Sequence, residues 1–162
     1  MALNFYIAKM KAEKQGDIHG SVTQKGREKW IQGYAFEYKI SSPRDAASGL
    51  PTGKRMHSPL KIVKEIDRAT PLLHNVLTNN ENLKEVEFRF FRPSAQGAEQ
   101  HFYTIKLTNA NIAEVKAYML LNKVPENMKF PEMEEISFTY QKIEWTWVDG
   151  GLTSMDDWET PV

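Results

Sequence analysis

The chain has 162 residues, with 21 Lys and Arg against 21 Asp and Glu, and no Cys. That length suits one domain with a sizeable core. The balanced charge disfavours nucleic acid as a main partner, because proteins that neutralise many phosphates carry a basic excess, and the missing Cys excludes a disulfide framework, a thiol nucleophile and a thiolate metal site.

The first residues, MALNFYIAKMKAEKQ, alternate in polarity and soon become charged. They lack the basic start and the apolar core of roughly 7–15 residues that define a secretory signal. No apolar run approaches the roughly 20 residues of a membrane-spanning helix. The expectation is a chain folded in the cytosol, without membrane insertion, that would leave the cell by a route needing no cleaved signal.

Period-two alternation dominates the chain, as in strands with one buried face. A short strand is expected at Phe5–Lys9. In Trp30–Ile40 the even positions Trp30, Tyr34, Phe36, Tyr38 and Ile40 form an apolar face, while Glu37 and Lys39 lie opposite. Those aromatics could stack bases as in single-strand binders, but core packing is the preferred reading. Ser41–Ser58 has no periodicity and is long for a connection between strands, where about 2–5 residues is usual. Within it, SGLPTGKRMH resembles a phosphate-binding loop. However, Gly49 and Gly53 stand too close together, Arg55 occupies the hydroxyl position, Pro51 removes an N–H, and a strand is expected next, at Leu60–Ile66.

Thr70 and Pro71 signal the start of a helix, with Thr70 as cap and Pro71 in the first turn. Leu72, Leu73, Val76 and Leu77 form its apolar stripe, expected to plug an open end or flank of the barrel, and Asn79-Asn80 offers a left-handed stop. Strands are expected at Lys84–Phe91, Tyr103–Leu107 and Ile112–Leu120, with the unpatterned Ser94–Gln100 as a loop. In the last strand Ile136, Phe138 and Tyr140 share one parity, and Ile143, Trp145 and Trp147 the other. One extra residue near Gln141-Lys142 would reconcile them, as a β-bulge does. A bent strand of this kind is typical of sheets that curl into barrels. The tail Val148–Val162 is unpatterned, and its Trp158 is expected to dock on its own domain or on a neighbouring chain. The architecture is mainly β: seven or eight strands and one short helix.

No catalytic constellation emerges. His57 and Ser58 are adjacent on an extended chain and point to opposite faces, so this His does not easily serve that Ser. His19, His57, His74 and His101 are scattered, without metal-ligand spacing. Glu132, Glu134 and Glu135 read as a solvated strand edge. The expectation is no enzyme, no cofactor and no metal, hence an assembly or binding protein.

The run His57-Ser58-Pro59-Leu60-Lys61-Ile62-Val63-Lys64-Glu65-Ile66-Asp67-Arg68-Ala69-Thr70-Pro71-Leu72-Leu73 resembles the central signature of the Hcp (haemolysin-coregulated protein) family. Further matches are Gly20-Ser21 through Gly26, Leu83–Val86, Phe102–Leu107, Ile136–Tyr140 through Ile143–Trp145, and Asp156–Trp158. The resemblance spans nearly the whole chain and is specific as a set. It implies two β-sheets rolled into a barrel with one helix alongside, forming a single domain over residues 1–162. It also implies a homo-hexameric ring that stacks into the inner tube of the type VI secretion system. The tube would be driven out with a spike protein by a contractile sheath on a baseplate, and small effector proteins could ride in its lumen. Localisation would be cytoplasmic during assembly and extracellular, or in a target cell, after export. No catalytic residues transfer. Some relatives carry an added C-terminal toxin domain, for which this chain ends too early at Val162.

Within that picture, loop 41–58 and tail 148–162 are assembly extensions. Ala46, Gly49, Leu50, Pro51, Gly53, Lys54, Arg55, Met56 and Trp158 are the expected subunit contacts. Glu37, Lys39, Glu85, Glu87 and Arg89 are the expected lumen- or sheath-facing wall. A carrier role for small secreted effectors is the alternative.

Overall fold

A computed structural model describes residues 2–158 of the protein. In chain order its elements are β1 (Phe5–Ala12), β2 (Gly16–Asp17), β3 (Ile31–Gly33), β4 (Ala35–Glu37), β5 (Ile40–Ser41), β6 (Met56–His57), β7 (Leu60–Glu65), α1 (Thr70–Thr78), β8 (Leu83–Pro93), β9 (Glu99–Tyr118), β10 (Met133–Trp147) and β11 (Leu152–Asp157). One nine-stranded sheet runs β2-β1-β8-β9-β10-β7-β4, with β11 also on β10 and β3 also on β1. All its ladders are antiparallel. The expected mainly β architecture with one helix is present, built from one large sheet and a two-stranded ribbon, β5-β6, rather than two large sheets.

Among the described residues no ladder closes this sheet into a barrel. The reason lies at Tyr34. The expected single strand Trp30–Ile40 is broken there: Ile31–Gly33 pairs with β1, and Ala35–Glu37 pairs with β7. The segment thus changes partner instead of pairing along its length with both edges. Its buried positions are Ile31 and Gly33, on the odd parity. Tyr34, Phe36 and Ile40, expected inside, are all exposed. Gly33 is inside because the Phe5 ring lies against its backbone; a Cβ there would come within 2.1 Å of Phe5 Cζ. Phe5 in turn meets Phe36 edge-on at 5.8 Å, bringing strands from the two ends of the sheet path into contact.

The long strands bend along one line. On β8 the buried positions step from Leu83 to Val86, on β9 from Leu107 to Ala110, and on β10 from Tyr140 to Ile143. Each step changes parity, and the three are neighbours, since Leu83 and Tyr140 both pair with Ala110. The parity change predicted near Gln141-Lys142 is therefore real, but it is not a bulge. Tyr140 pairs with Ala110 and Lys142 with Thr108, so both strands carry the irregularity and register is kept. Asn109 accommodates it with φ +51°. The shift in the β9-β10 ladder lies elsewhere, between Ser137 and Phe138. The two expected strands Tyr103–Leu107 and Ile112–Leu120 become one strand, β9, passing through this crease. The crease lets Phe88 on β8 meet Phe138 on β10 across the core, at 5.8 Å and 81°.

Helix α1 lays Leu73 and Val76 into the core, with Leu72 and Leu77 half-buried against it. Asn80, at φ +49°, ends it as expected. Thr70 does not cap the helix. The cap position is Ala69, which has helical dihedrals and offers no side-chain bond. Asp67 does that work instead: its carboxylate accepts the Ala69 N–H at 2.9 Å, while Thr70 Oγ1 accepts the Asp67 N–H at 3.0 Å.

That arrangement frees the Thr70 hydroxyl to donate to Glu134 Oε2 at 2.7 Å. Glu134 is fully buried on a central strand, not on a solvated edge, opposite Lys64, which is fully buried too. The Lys64 ammonium lies 3.4 Å from Glu134 and 2.9 Å from Asp67, and donates to the Glu65 carbonyl at 2.8 Å. Removing one charge of a buried pair leaves the other uncompensated, whereas replacing both by apolar side chains is often nearly neutral. Lys64→Met is expected to lower stability by about 3–5 kcal/mol in urea unfolding, with Lys64→Met/Glu134→Leu recovering much of it. A single variant as stable as the parent would show that the cluster does not hold the helix to the sheet.

Candidate functional site

The segment expected to be a loop, Ser41–Ser58, is a ribbon-like arm. Ile40 pairs with His57 and Ser41 with Met56, and Arg44 bridges Pro51 further out. At the tip the Asp45 carboxylate accepts the backbone N–H and the hydroxyl of Ser48, both at 2.7 Å. These bonds hold it below the usual carboxylate range. Gly49 turns the chain with φ +75°. Ala46, Gly49, Leu50, Pro51, Gly53, Lys54 and Met56 are all exposed along this arm. The next elements are β6 and β7, so no helix N-terminus comes after the arm to receive a phosphate.

Arg55 and His57, at the base of the arm, turn back onto the chain's own tail. Residues 152–157 of that tail, expected to be unpatterned, form β11 on β10, from Trp147↔Leu152 to Lys142↔Asp157. Arg55 donates through Nε to Asp156 Oδ2 at 2.6 Å and through a terminal nitrogen to the Asp157 carbonyl at 2.8 Å. His57 Nε2 lies 2.7 Å from the same Asp156 oxygen, and Nδ1 lies 2.8 Å from the Tyr140 hydroxyl. The His57 ring packs on Trp158, centroids 4.9 Å apart. The Trp158 indole N–H donates to the Tyr140 carbonyl, and its backbone N–H to that of Gln141 at 3.2 Å. Arm, tail and β10 are thus clasped at one point.

The electrostatics derive from these bonds. The hydrogen bond from Arg55, backed by that from His57, holds the Asp156 carboxyl below its ordinary range. Burial, reinforced by neighbouring Tyr38 and Asp156, pushes the Tyr140 hydroxyl up, so it stays protonated. The His57–Asp156 pair resembles an acid–base couple, but the hydroxyl it touches is the phenol of Tyr140, held protonated, and not that of a serine. Ser58 Oγ faces away, accepting the Lys39 N–H at 2.7 Å and donating to the Lys39 carbonyl at 3.1 Å. The His57 side chain is also 0% exposed. Its chemistry is fastening.

The expected wall residues fall into two groups. Glu85, Glu87 and Arg89 stand on β8, linked by ion pairs: Glu85 with Lys106 at 3.4 Å, Arg89 with Glu87 at 2.6 Å. All three are half-buried. Glu37 and Lys39 are exposed and lie on the far part of the sheet path, at and just beyond β4. His19 is exposed, while His74 bonds the Thr70 carbonyl at 2.8 Å and His101 the Thr104 hydroxyl at 2.7 Å. Among the described residues no group of three His, Asp or Glu could hold a metal ion, and no helix is long and apolar enough to cross a membrane. Residues 159–162, the end of the tail extension, lie outside the described residues.

Tyr140 and Asp156 are site residues that sequence reasoning does not join to the arm. They lie 83 and 99 residues from His57, and no local pattern links them. The buried pair Lys64–Glu134 does leave a signal. Both occupy the core parity of their strands, Lys64 with Leu60 and Ile62, Glu134 with Ile136 and Phe138.

The sequence and the fold match one family of secretion proteins. The family described as "Type VI secretion system effector, Hcp" matches residues 10–147. The chain is 41% identical over 146 residues to the "Major exported protein" of Pseudomonas aeruginosa, covering 90% of this chain and 85% of that protein. A crystal structure of an Hcp protein superposes with a TM-score of 0.90 at 29% identity, over 98% of this chain and 99% of that one. The secreted protein Hcp3 from Pseudomonas aeruginosa gives 0.79 at 31% identity, over 97% and 99%. The chain belongs to the Hcp family.

The lowered Asp156 group carries a pH consequence. A carboxyl whose folded value is depressed contributes stability that is present above the unfolded value, near 3.9, and is lost as pH falls through the folded value. Asp156→Asn is expected to cost about 1–2 kcal/mol at pH 7, as for a lost charge-assisted hydrogen bond. The gap to the parent should narrow below about pH 4. Urea midpoints between pH 7 and pH 3 check this; a gap that does not change with pH would contradict it.

Proposed function

We propose that this protein is the structural unit of a type VI secretion tube: a homo-hexameric ring, stacked through its arms, exported without a cleaved signal. Family membership supports the system to which it belongs. The observation that carries assembly is apolar surface left uncovered at three places. Leu50 on the arm is 64% exposed, Leu121 and Met128 on the β9–β10 connection 66% and 70%, and Leu152 on β11 69%. Isolated soluble domains rarely leave so many large apolar side chains wet on projecting segments, and such surface marks interaction sites.

Ala46, Gly49, Leu50, Pro51, Gly53, Lys54 and Met56 are the arm residues that reach a neighbouring subunit or ring. Arg55 and Trp158 have partners in their own chain and act by setting the arm's direction. Glu37, Lys39, Glu85, Glu87 and Arg89 line the tube wall. Spike, sheath and baseplate proteins are the further partners, and the protein works as a scaffold, not as an enzyme. Carriage of small effectors in the lumen is compatible with this role, and a wall variant that loses cargo but keeps the ring would demonstrate it.

Native mass spectrometry at micromolar concentration should give six chains, and a stable monomer would overturn the ring. Deleting Ala46–Arg55 should reduce stacking or ring mass. Because that deletion also removes Arg55, Leu50→Asp isolates the tip: the clasp stays intact while stacking weakens. Unchanged ring mass and stacking in both variants would remove the arm from assembly.

A further inference from the structure

The crease creates a groove of about 670 Å³ on the sheet, beside Trp158. That volume lies within the roughly 300–1,000 Å³ of small-molecule sites. Its chemistry is unusual for a charged protein: Asn82, Asn109, Asn111, Thr139 and Gln141 line it together with Tyr140 and the indole. No Lys, Arg, Asp or Glu is among the lining residues. The amides are aligned by a relay. Asn82 Nδ2 donates to Asn109 Oδ1 at 3.3 Å, Asn109 Nδ2 to Gln141 Oε1 at 2.9 Å, and Gln141 Nε2 to Asp157 Oδ2 at 3.3 Å. An amide has two N–H donors and an oxygen with two lone pairs, so each relay bond leaves further capacity in a fixed orientation. Position 109 is also held where few side chains fit, at φ +51°.

We propose that this groove binds a neutral, hydroxyl-rich ligand, a saccharide. Pre-aligned amides can donate to one hydroxyl and accept from its neighbour, and a half-exposed indole offers an apolar surface for a sugar's C–H face. Other ligands fit less well. A phosphate or a nucleic acid would find no cation. An extended peptide would find the strand's carbonyls taken, because those of Tyr140 and Gln141 already accept the indole and backbone N–H of Trp158, and Thr139 and Tyr140 pair with β9 on their other side. The proposal does not depend on ring assembly.

The test is a two-dimensional NMR titration of the full chain with chitotriose, and with maltotriose as a sugar lacking N-acetyl groups. Shifts confined to the side-chain amides of residues 82, 109, 111 and 141 and to the Trp158 indole are expected, saturating in the millimolar range or below. Asn111→Ala and Gln141→Ala should each weaken binding about fivefold, the size of one lost hydrogen bond. Asn111 is exposed, so its truncation leaves the fold intact. Absence of shifts with either sugar at about 10 mM, a concentration that reveals even weak sites, would overturn the proposal. So would shifts that depend on protein concentration instead of sugar, which would mark the groove as a contact between copies.

Discussion

The rest of the structure depends on one constraint: strands of 15 and 20 residues cannot stay flat and bury one face throughout. Twisted sheets that grow long must curl or fold, or their far ends lose contact with any core. Here the solution is a shared change of parity at Asn109 and Gln141, continued on β8 between Leu83 and Val86. Because neighbouring strands change together, the register is the same on both sides of the crease, although Lys84, Asn109 and Gln141 themselves drop out of the ladders. Folding the sheet brings Phe88 onto Phe138 and lets both halves of β9 feed one core.

The crease also determines where the tail can sit. β11 begins opposite Trp147 and ends opposite Lys142, one residue from the irregular position Gln141. Trp158 therefore emerges where Tyr140 has just turned inward, and its indole N–H finds the Tyr140 carbonyl. The tail then presents Asp156 to the base of the arm, where Arg55 and His57 converge on one carboxylate oxygen. A ribbon with only two strand pairs is marginal alone. Its anchorage at the base, by a charge-assisted pair and a fully enclosed imidazole, restricts the directions its tip can take. The apolar tip at Leu50 can then meet a partner without first ordering the base of the arm, which lowers the cost of association.

Much of this is legible in the sequence. Period two locates most of the strands, and the parity conflict between Tyr140 and Ile143 locates the crease. The local pattern does not show that β9 carries the same conflict, since a residue such as Asn109 reads as a turn when seen alone. The reading of Trp30–Ile40 fails for a related reason: alternation reports a face only while the partner stays the same, and this segment changes partner at Tyr34. The tail strand escapes because Leu152–Asp157, with both faces largely wet, has no alternation to show. The clasp is invisible, since it joins three distant segments through polar groups. The buried Lys64–Glu134 pair is visible as a violation, two opposite charges on core parities, and is easily discounted because charge suggests solvent.

The uncovered apolar surfaces constrain the kind of assembly. The β9–β10 connection closes one end of a long ladder, while Leu152 lies near the other, where Trp147 pairs with Tyr103. A two-fold contact buries one self-complementary face on each copy and then stops growing. A heterologous contact sets one patch against a different one, and repeating it buries both on every copy. Such contacts either close into rings or continue as open stacks. A ring needs one such contact and a tube needs a second in another direction. In the tube proposed above, the arm, held at its base by Asp156 and apolar at its tip at Leu50, would supply the second.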